Sequence, residues 1–387
     1  MQEDFHYYAT YCAAYMAGFT HEESMEICYS AQLVDYCSKT LLSLLKAPAA
    51  AATTQLQLEL MDARTDMIGL QDITRIWASF HFLPYDLYAE KKATRRYRNK
   101  YRLICQPNGE LVAETVMIAK GKSLQAAGLA MHVLADTWAH RYFAGTPSLV
   151  INNVGARFVE LIREEGGFAE RPIEFNHNPA TKDDLEKGSF TNSLYQNSEN
   201  SIMNLGHGRA GHLPDYSFMR YRYMPSWGEY REVVKDNPDD YYHAFCQMVY
   251  ALQVLHGDRP SFETDQYAWE TVEPWKEAIS SILEKRQPDA CAEWKQLGEQ
   301  LSGCVIEKFD LEKYQEEYRS TDTDEKDGTF LGRFILAALA QKSMVTNKIF
   351  RSGNILAGYS VEFPEKGFKG IRAYRMLLEE REKRDKT

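Results

Sequence analysis

The stretch His132-Val-Leu-Ala-Asp136-Thr-Trp-Ala-His140 places three potential metal ligands at i, i+4 and i+8. Each step of four residues advances an α-helix by only about 40° past a full turn, so the three side chains share one stripe. The two histidines are separated by about 12 Å of helix axis. That is too far for both to grip one ion comfortably, and it suits a row of ions with Asp136 between them. The surrounding sequence, Ala126 to Phe143, is mostly apolar and helix-forming. A carboxylate and two imidazoles in such a helix are costly to bury unless paired or metal-bound. Clustered His and carboxylate side chains of this kind point to a metal site.

The rest of the 387-residue chain is ordinary in bulk, 44% hydrophobic and 26% charged, as expected of a globular protein with a large core. Its formal net charge of −10 argues against a broad non-specific nucleic-acid surface. It does not disfavour an anionic substrate held through cations. One segment runs the other way: Lys91, Lys92, Arg95, Arg96, Arg98 and Lys100 crowd into ten residues. Such a run can meet phosphates or an anionic membrane surface, or simply protect a strand edge. Seven cysteines without a C-x-x-C pair give no disulfide framework. No basic n-region followed by an apolar h-region opens the chain, and no 18-residue apolar run occurs, so a cytoplasmic protein without a membrane span is expected.

Helical periodicity dominates. Helices are expected over Phe5 to Phe19 and, behind a Thr20/Glu23 capping box, over Glu22 to Leu45. Ala50 to Gln57 reads as a break, and Asp72 as the cap of a short helix through Trp77. Pro107-Asn108-Gly109, between Arg95–Gln106 and Glu110–Ile118, reads as the turn of a small β-hairpin insertion, residues 95–118. Further helices are expected over Ser123 to Tyr142, Ser148 to Glu165, Ser226 to Val234, Tyr241 to His256 and Phe330 to Met344. Phe168 to Met203 is polar and reads as a long loop. Glu263 to Ser320 reads as covering helices and Gly370 to Lys386 as a charged surface helix. The acidic run Asp322–Gly328 has the composition of a calcium loop but not its spacing. The expected organisation is a mainly α helical metal-binding core, residues 1–260, with residues 261–387 packed on it.

Other candidate ligands lie outside the key helix. His6 stands near the start of the first helix, and Asp35 sits in an otherwise apolar helical run. An acid on an apolar face needs a partner. His81 is flanked by Phe80 and Phe82. The segment Gly206-His207-Gly-Arg-Ala-Gly211-His212-Leu-Pro-Asp215 brings two histidines and an aspartate into a glycine-rich loop, where backbone can approach a site closely. His207 and His212 are left as alternatives, and His177 is a weaker candidate to line the site. Tyr7, Tyr8, Phe80, Phe82, Tyr85, Tyr142 and Phe143 are dense nearby; they suit base stacking, a lipid pocket or the core.

Taken in order, His6, Asp35, His81, His132-x-x-x-Asp136, His140, His207 or His212, and Asp215 resemble the ligand series of the zinc-dependent phospholipase C family, which shares its fold with the fungal single-strand-specific nucleases. The resemblance covers roughly residues 1 to 256 and is one of ligands and helices, not of close sequence. It implies a multi-helix bundle and a site for two or three zinc ions. Asp136 would bridge, His132 and His140 would serve different ions, and Asp35 would act as ligand or general base. The implied reaction is phosphodiester hydrolysis by in-line attack of metal-bound hydroxide. The substrate would be a lipid headgroup or a nucleotide. Secreted members of that family use a processed N-terminal Trp amine as a ligand; here the chain opens with Met1, and Asp4 is expected to replace that group. The closing His-x-x-Asp spacing is also shorter than the family's.

Two rival readings stay open: a nuclease acting on single strands, and a non-catalytic helical protein holding one structural metal. Other hydrolase classes lack their motifs. The chain has no His-Asp dipeptide, no Gly-x-Ser-x-Gly elbow and no phosphate loop.

Overall fold

The computed structural model describes residues 1–63, 67–85, 87, 103–147, 152, 157–178, 180–192, 205–225 and 232–354. The protein is mainly helical with a small antiparallel sheet. A π-helical turn, Asp4–Ala9, runs into α1 (Thr10–Met16), followed by α2 (His21–Leu33), α3 (Lys39–Leu44), α4 (Gln57–Ala63), α5 (Met67–Phe80), α6 (Glu110–Ala119) and α7 (Leu124–Ala139). Strands β1 (Val159–Glu164), β2 (Gly167–Pro172), β3 (Glu174–Asn176) and β4 (Ser189–Thr191) come next, then the short α8 (Gly206–Ala210), β5 (Arg220–Tyr223) and β6 (Val233–Asp236). The long α9 (Asn237–His256) leads to α10 (Trp269–Val272), α11 (Lys276–Glu284), α12 (Cys291–Ser302), α13 (Leu311–Ser320) and α14 (Phe330–Arg351).

Helix α7 is the axis of the bundle. Every residue from Gln125 to Ala139 is buried, because α2, α6, α9 and α14 pack around it. Ser123 caps its start by accepting from the Ala126 N–H. Gly128 lets α2 cross closely: a Cβ there would stand 2.2 Å from the Ile27 carbonyl oxygen. The Thr20/Glu23 capping box opens α2 as the sequence indicates. The helix stops at Leu33, however, and does not continue to Leu45. The turn over Val34 to Cys37 is held by Thr53, whose hydroxyl donates to the Val34 carbonyl at 2.6 Å and whose N–H donates to the Cys37 carbonyl at 2.9 Å.

The sheet lies on a second, aromatic core containing Phe82, Phe143, Phe158, Phe190, Tyr221 and Tyr223. Its order is β2-β1-β5-β6, all antiparallel; β3 and β4 form a separate parallel pair. Glu160 on β1 is buried and ion-paired to Arg171 and Arg286, at 2.6 Å each, which ties the sheet to the segment after α11. Residues beyond 260 share the main core with the N-terminal helices: Trp294 packs edge-on to Phe5 and stacks on Phe245.

Several expectations are corrected. Glu110–Ala119 is a helix, not the second strand of a hairpin; Leu111, Val112, Thr115, Val116 and Ala119 are buried with a period near 3.6. The Asn108 turn is real, with φ at 66°, but it feeds a helix. Val159–Glu164 is a strand, not helix, and Gly166 (φ 93°) turns the β1–β2 hairpin. The polar run after Phe168 contains β2, β3 and β4. Val233 and Val234 belong to β6, not to a helix. The expected strand residues 95–102, the basic run Lys91–Lys100, residues 226–231 and the helix Gly370–Lys386 lie outside the described residues. Among the described residues no helix is long and apolar enough to cross a membrane.

Gly128→Ala forces α2 and α7 apart. It is expected to destabilise the protein by about 1–3 kcal/mol, and to lower the melting temperature by several degrees in thermal denaturation. An unchanged melting temperature would contradict the close crossing.

Candidate metal centre

The break after α2 exposes Asp35, the end of α5 presents His81, and α7 presents His132 and Asp136 on successive turns. His140 caps the C-terminus of α7. His207 lies on α8 and Asp215 in the loop after it. That loop is clamped by α9: the Asn237 amide donates to the carbonyls of Leu213 and Tyr216, each at 2.8 Å, and the Tyr241 hydroxyl donates to the Asp215 carbonyl at 2.9 Å.

These side chains converge on the Asp136 carboxylate, which is 1% exposed. Its Oδ2 is 3.1 Å from His81 Nδ1 and 3.2 Å from His132 Nε2. Those two nitrogens are themselves 3.2 Å apart. Asp35 Oδ1 completes a fourth vertex, 4.0 and 3.9 Å from the same two atoms. A tetrahedral zinc with ligand bonds of about 2.0–2.1 Å has ligand–ligand edges of about 3.3–3.4 Å. The His81, His132 and Asp136 triangle is already close to that size.

The outer nitrogens fix which atoms face inward. His81 Nε2 donates to the Thr53 carbonyl at 3.1 Å, and His132 Nδ1 donates to the Ala31 carbonyl at 2.9 Å. His140 Nδ1 donates to the His81 carbonyl at 2.6 Å. In a neutral imidazole with one nitrogen donating outward, the other carries a lone pair. Backbone carbonyls thereby orient the imidazoles as metal-ligating histidines are usually oriented. His81 Nδ1, His132 Nε2 and Asp136 Oδ2 are then three acceptors within 3.2 Å of each other. Such a triangle is able to hold a cation.

A second group lies on the other side of Asp136. Asp215 Oδ1 is 3.1 Å from His207 Nε2 and 3.4 Å from His140 Nε2. Between the groups stands the Met1 amine, 3.0 Å from Asp136 Oδ1, 3.2 Å from Asp215 Oδ1 and 3.3 Å from His140 Nε2. His6 Nε2 is 3.1 Å from Asp136 Oδ1, but neither nitrogen of this wholly buried ring has a directed hydrogen bond among the described residues. The His6 ring stacks on His132 at 3.7 Å. Three ligand groups result: His6, Asp35 and His132; His81, His132 and Asp136; His140, His207 and Asp215. In each, the ligand atoms lie within 4.8 Å of one another.

The electrostatics suit cation binding. Burial holds the His6 imidazole down to about 3 and the His140 imidazole down to about 4, so both are neutral near pH 7 and able to accept a metal. Burial opposes the charge on Asp136 and Asp215, yet both carboxyls lie well below the usual range, with the Met1 ammonium beside them favouring the charged form. Burial likewise opposes the ammonium; Asp136, Asp215 and Asp35 outweigh it and raise it to about 11.

The structure separates the two loop histidines. His207 reaches Asp215, whereas His212 turns away, half exposed, and pairs with Asp183 at 3.0 Å. His177 is exposed and meets Asn192. Asp4 does not take the place of an N-terminal ligand. Its carboxyl accepts from the N–H groups of Ala290 and Phe5, at 3.0 and 2.8 Å, and burial raises it to about 6. The Met1 amine stands in the cluster instead. Sequence reasoning passed it over, although its nearness to His6 along the chain was a usable signal. Tyr7, Tyr8, Phe80, Phe82 and Phe143 are buried; Phe82 stacks on His140 at 4.7 Å and helps fix that ring. Tyr142 is half-buried and Tyr85 is exposed.

The chain belongs to the family DUF6765, a family of unknown function whose profile matches residues 1–349. Comparison with curated proteins and with solved structures gives no match.

Two substitutions separate the loop histidines. His207→Ala is expected to lower the zinc content measured by elemental analysis, while His212→Ala leaves it unchanged; the reverse result would reassign the ligand. The pair of His212 with Asp183 raises the His212 pKa, so its stabilisation is full below the unfolded value and fades as pH rises through the folded one. The loss of stability in His212→Ala is therefore expected to be larger near about pH 5 than near about pH 9, as read by denaturant melts.

Proposed function

We propose that this protein is a zinc-dependent phosphodiester hydrolase of phospholipase C-like type. The observation that carries the reading is the triangle of inward-facing acceptors formed by His81, His132 and Asp136, with Asp35 as a more open fourth vertex. His140, His207 and Asp215 would hold a second ion, and Asp136 would bridge. His6, with Asp35 and His132, would hold a third. Zinc bound by these residues would supply a more acidic water and draw charge from a phosphoryl oxygen.

The protein's own residues divide the remaining work. Asp35 is the open side of the centre, its side chain 32% exposed against 1% for Asp136 and 11% for Asp215. It is the group able to orient an attacking water and accept its proton. Attack forms one P–O bond while the bond to the leaving alcohol breaks. The buried ring of carbonyl-anchored imidazoles keeps the centre rigid through that exchange. The basic run Lys91–Lys100 is proposed to contact the anionic substrate or its surface. A nuclease acting on single strands would use the same centre with a different substrate.

The test uses zinc-loaded protein with three substrates: bis(p-nitrophenyl) phosphate, p-nitrophenylphosphorylcholine and a single-stranded oligonucleotide. Turnover of at least one is expected, abolished by chelation and restored by zinc. Asp35→Asn is expected to cut kcat by about 10²–10⁴-fold. Asp136→Asn is expected to lose zinc as well as activity. Hydrolysis of the phosphorylcholine ester without cleavage of the oligonucleotide favours the phospholipase reading. A fully zinc-loaded protein inert on all three would overturn catalysis and leave a structural metal.

A further inference from the structure

A groove of about 360 Å³ lies between α6, the N-terminal half of α7 and α14, away from the His/Asp centre. That size falls within the range of small-molecule sites. Its walls are apolar, formed by side chains such as Ile118, Leu129, Leu336 and Ala337. Two cations, Lys122 and Arg333, also line it. Both are exposed, and neither has an ion-pair partner among the described residues. This is unexpected in a chain of net charge −10, where carboxylates are in excess.

The packing of α6 against α14 puts both cations at one end. Lys348 ion-pairs with Glu114 and Glu110, and Gln341 donates to the Thr115 hydroxyl at 2.9 Å. Residue numbers thus rise along α6 as they fall along α14, so the turn at Lys122 faces the start of α14 at Arg333. Gln341 lies eight residues from Arg333, about 12 Å along the helix axis. Its amide NH₂ is committed to the Ser79 carbonyl and the Thr115 hydroxyl. Its Oε1 is buried and has no donor among the described residues, although the residue lines the groove. A buried acceptor left unmatched is destabilising. The groove therefore has a cationic end and an apolar middle, with Gln341 lining its far end.

We infer that this groove binds a medium-chain aliphatic carboxylate. The carboxylate sits between Lys122 and Arg333, the chain lies along Leu336 and Ala337, and a terminal hydroxyl, where present, donates to Gln341 Oε1. The guanidinium fork of Arg333 matches a carboxylate in shape as well as charge. The site is independent of the hydrolytic reading, because no residue of the His/Asp centre lines it.

Calorimetric titration of the full-length zinc-loaded protein with decanoate, below its micelle concentration, tests the inference. Saturable binding at one site per chain is expected, tighter for ω-hydroxydecanoate and absent for decyltrimethylammonium. The double variant Lys122→Gln/Arg333→Gln is expected to weaken decanoate at least about tenfold, the equivalent of 1.4 kcal/mol. Ala337→Trp, which fills the groove, is expected to abolish binding, with zinc content and circular dichroism unchanged in both variants. Absence of saturable binding, equal binding of the cationic amphiphile, or full affinity in the double variant would each overturn the site. Equal affinity for decanoate and its ω-hydroxy derivative would overturn the role of Gln341.

Discussion

A carboxylate buried in the middle of an apolar helix is the constraint on which this structure depends. Asp136 has no access to water, so its charge must be met by protein groups or by an ion. Nitrogens of Met1, His6, His81 and His132 lie within 3.2 Å of its two oxygens. They come from the N-terminus, from the end of α5 and from α7 itself. The bundle is therefore organised so that separate elements end at one point inside it. Gly128 serves this purpose indirectly: by letting α2 approach α7, it brings the Ala31 carbonyl to His132.

Interruptions of regular structure do the positioning. Asp35 faces the centre because α2 stops where the chain turns, and Thr53 holds that turn while lending its own carbonyl to His81. One threonine thus holds both the turn that carries Asp35 and the orientation of the His81 ring. The sheet does equivalent work on the other side. Its aromatic core carries Phe82 and Phe143, which pack against His140 and His207. The β-structure supports the His140, His207 and Asp215 group and does not form an independent layer.

The legible parts of the sequence were those governed by a single period. His132, Asp136 and His140 announced themselves because the α-helix repeats near four, and the Thr20/Glu23 box because capping is local. The failures share a cause too. Pro107-Asn108-Gly109 is good turn chemistry, but a turn does not dictate whether a helix or a strand leaves it, and the 3.6 period of Leu111 to Ala119 was the better guide. Conversely, Val159 to Glu164 pairs as a strand with β2 and β5, and its buried Glu160 is met by Arg171 across the hairpin and by Arg286 from far along the chain. No local rule separates His207 from His212. The choice depends on the clamp that Asn237 and Tyr241 place on the loop and on Asp183 capturing His212.

The charge balance at the centre bears on why so many nitrogens gather there. Asp136 and Asp215 are held ionised, and one ammonium lies between them. Among these three groups, two negative charges face one positive. His6 and His140 do not make up the difference, since burial keeps both neutral. A deficit of positive charge in a dry interior is unfavourable for an isolated protein and favourable for one that takes up divalent cations. The same burial that holds the imidazoles neutral also leaves their lone pairs free for metal. Helix, burial and charge thus bear on one point: with Asp136 where water cannot reach it, the N-terminus, α5 and α7 all bring nitrogens to its carboxylate.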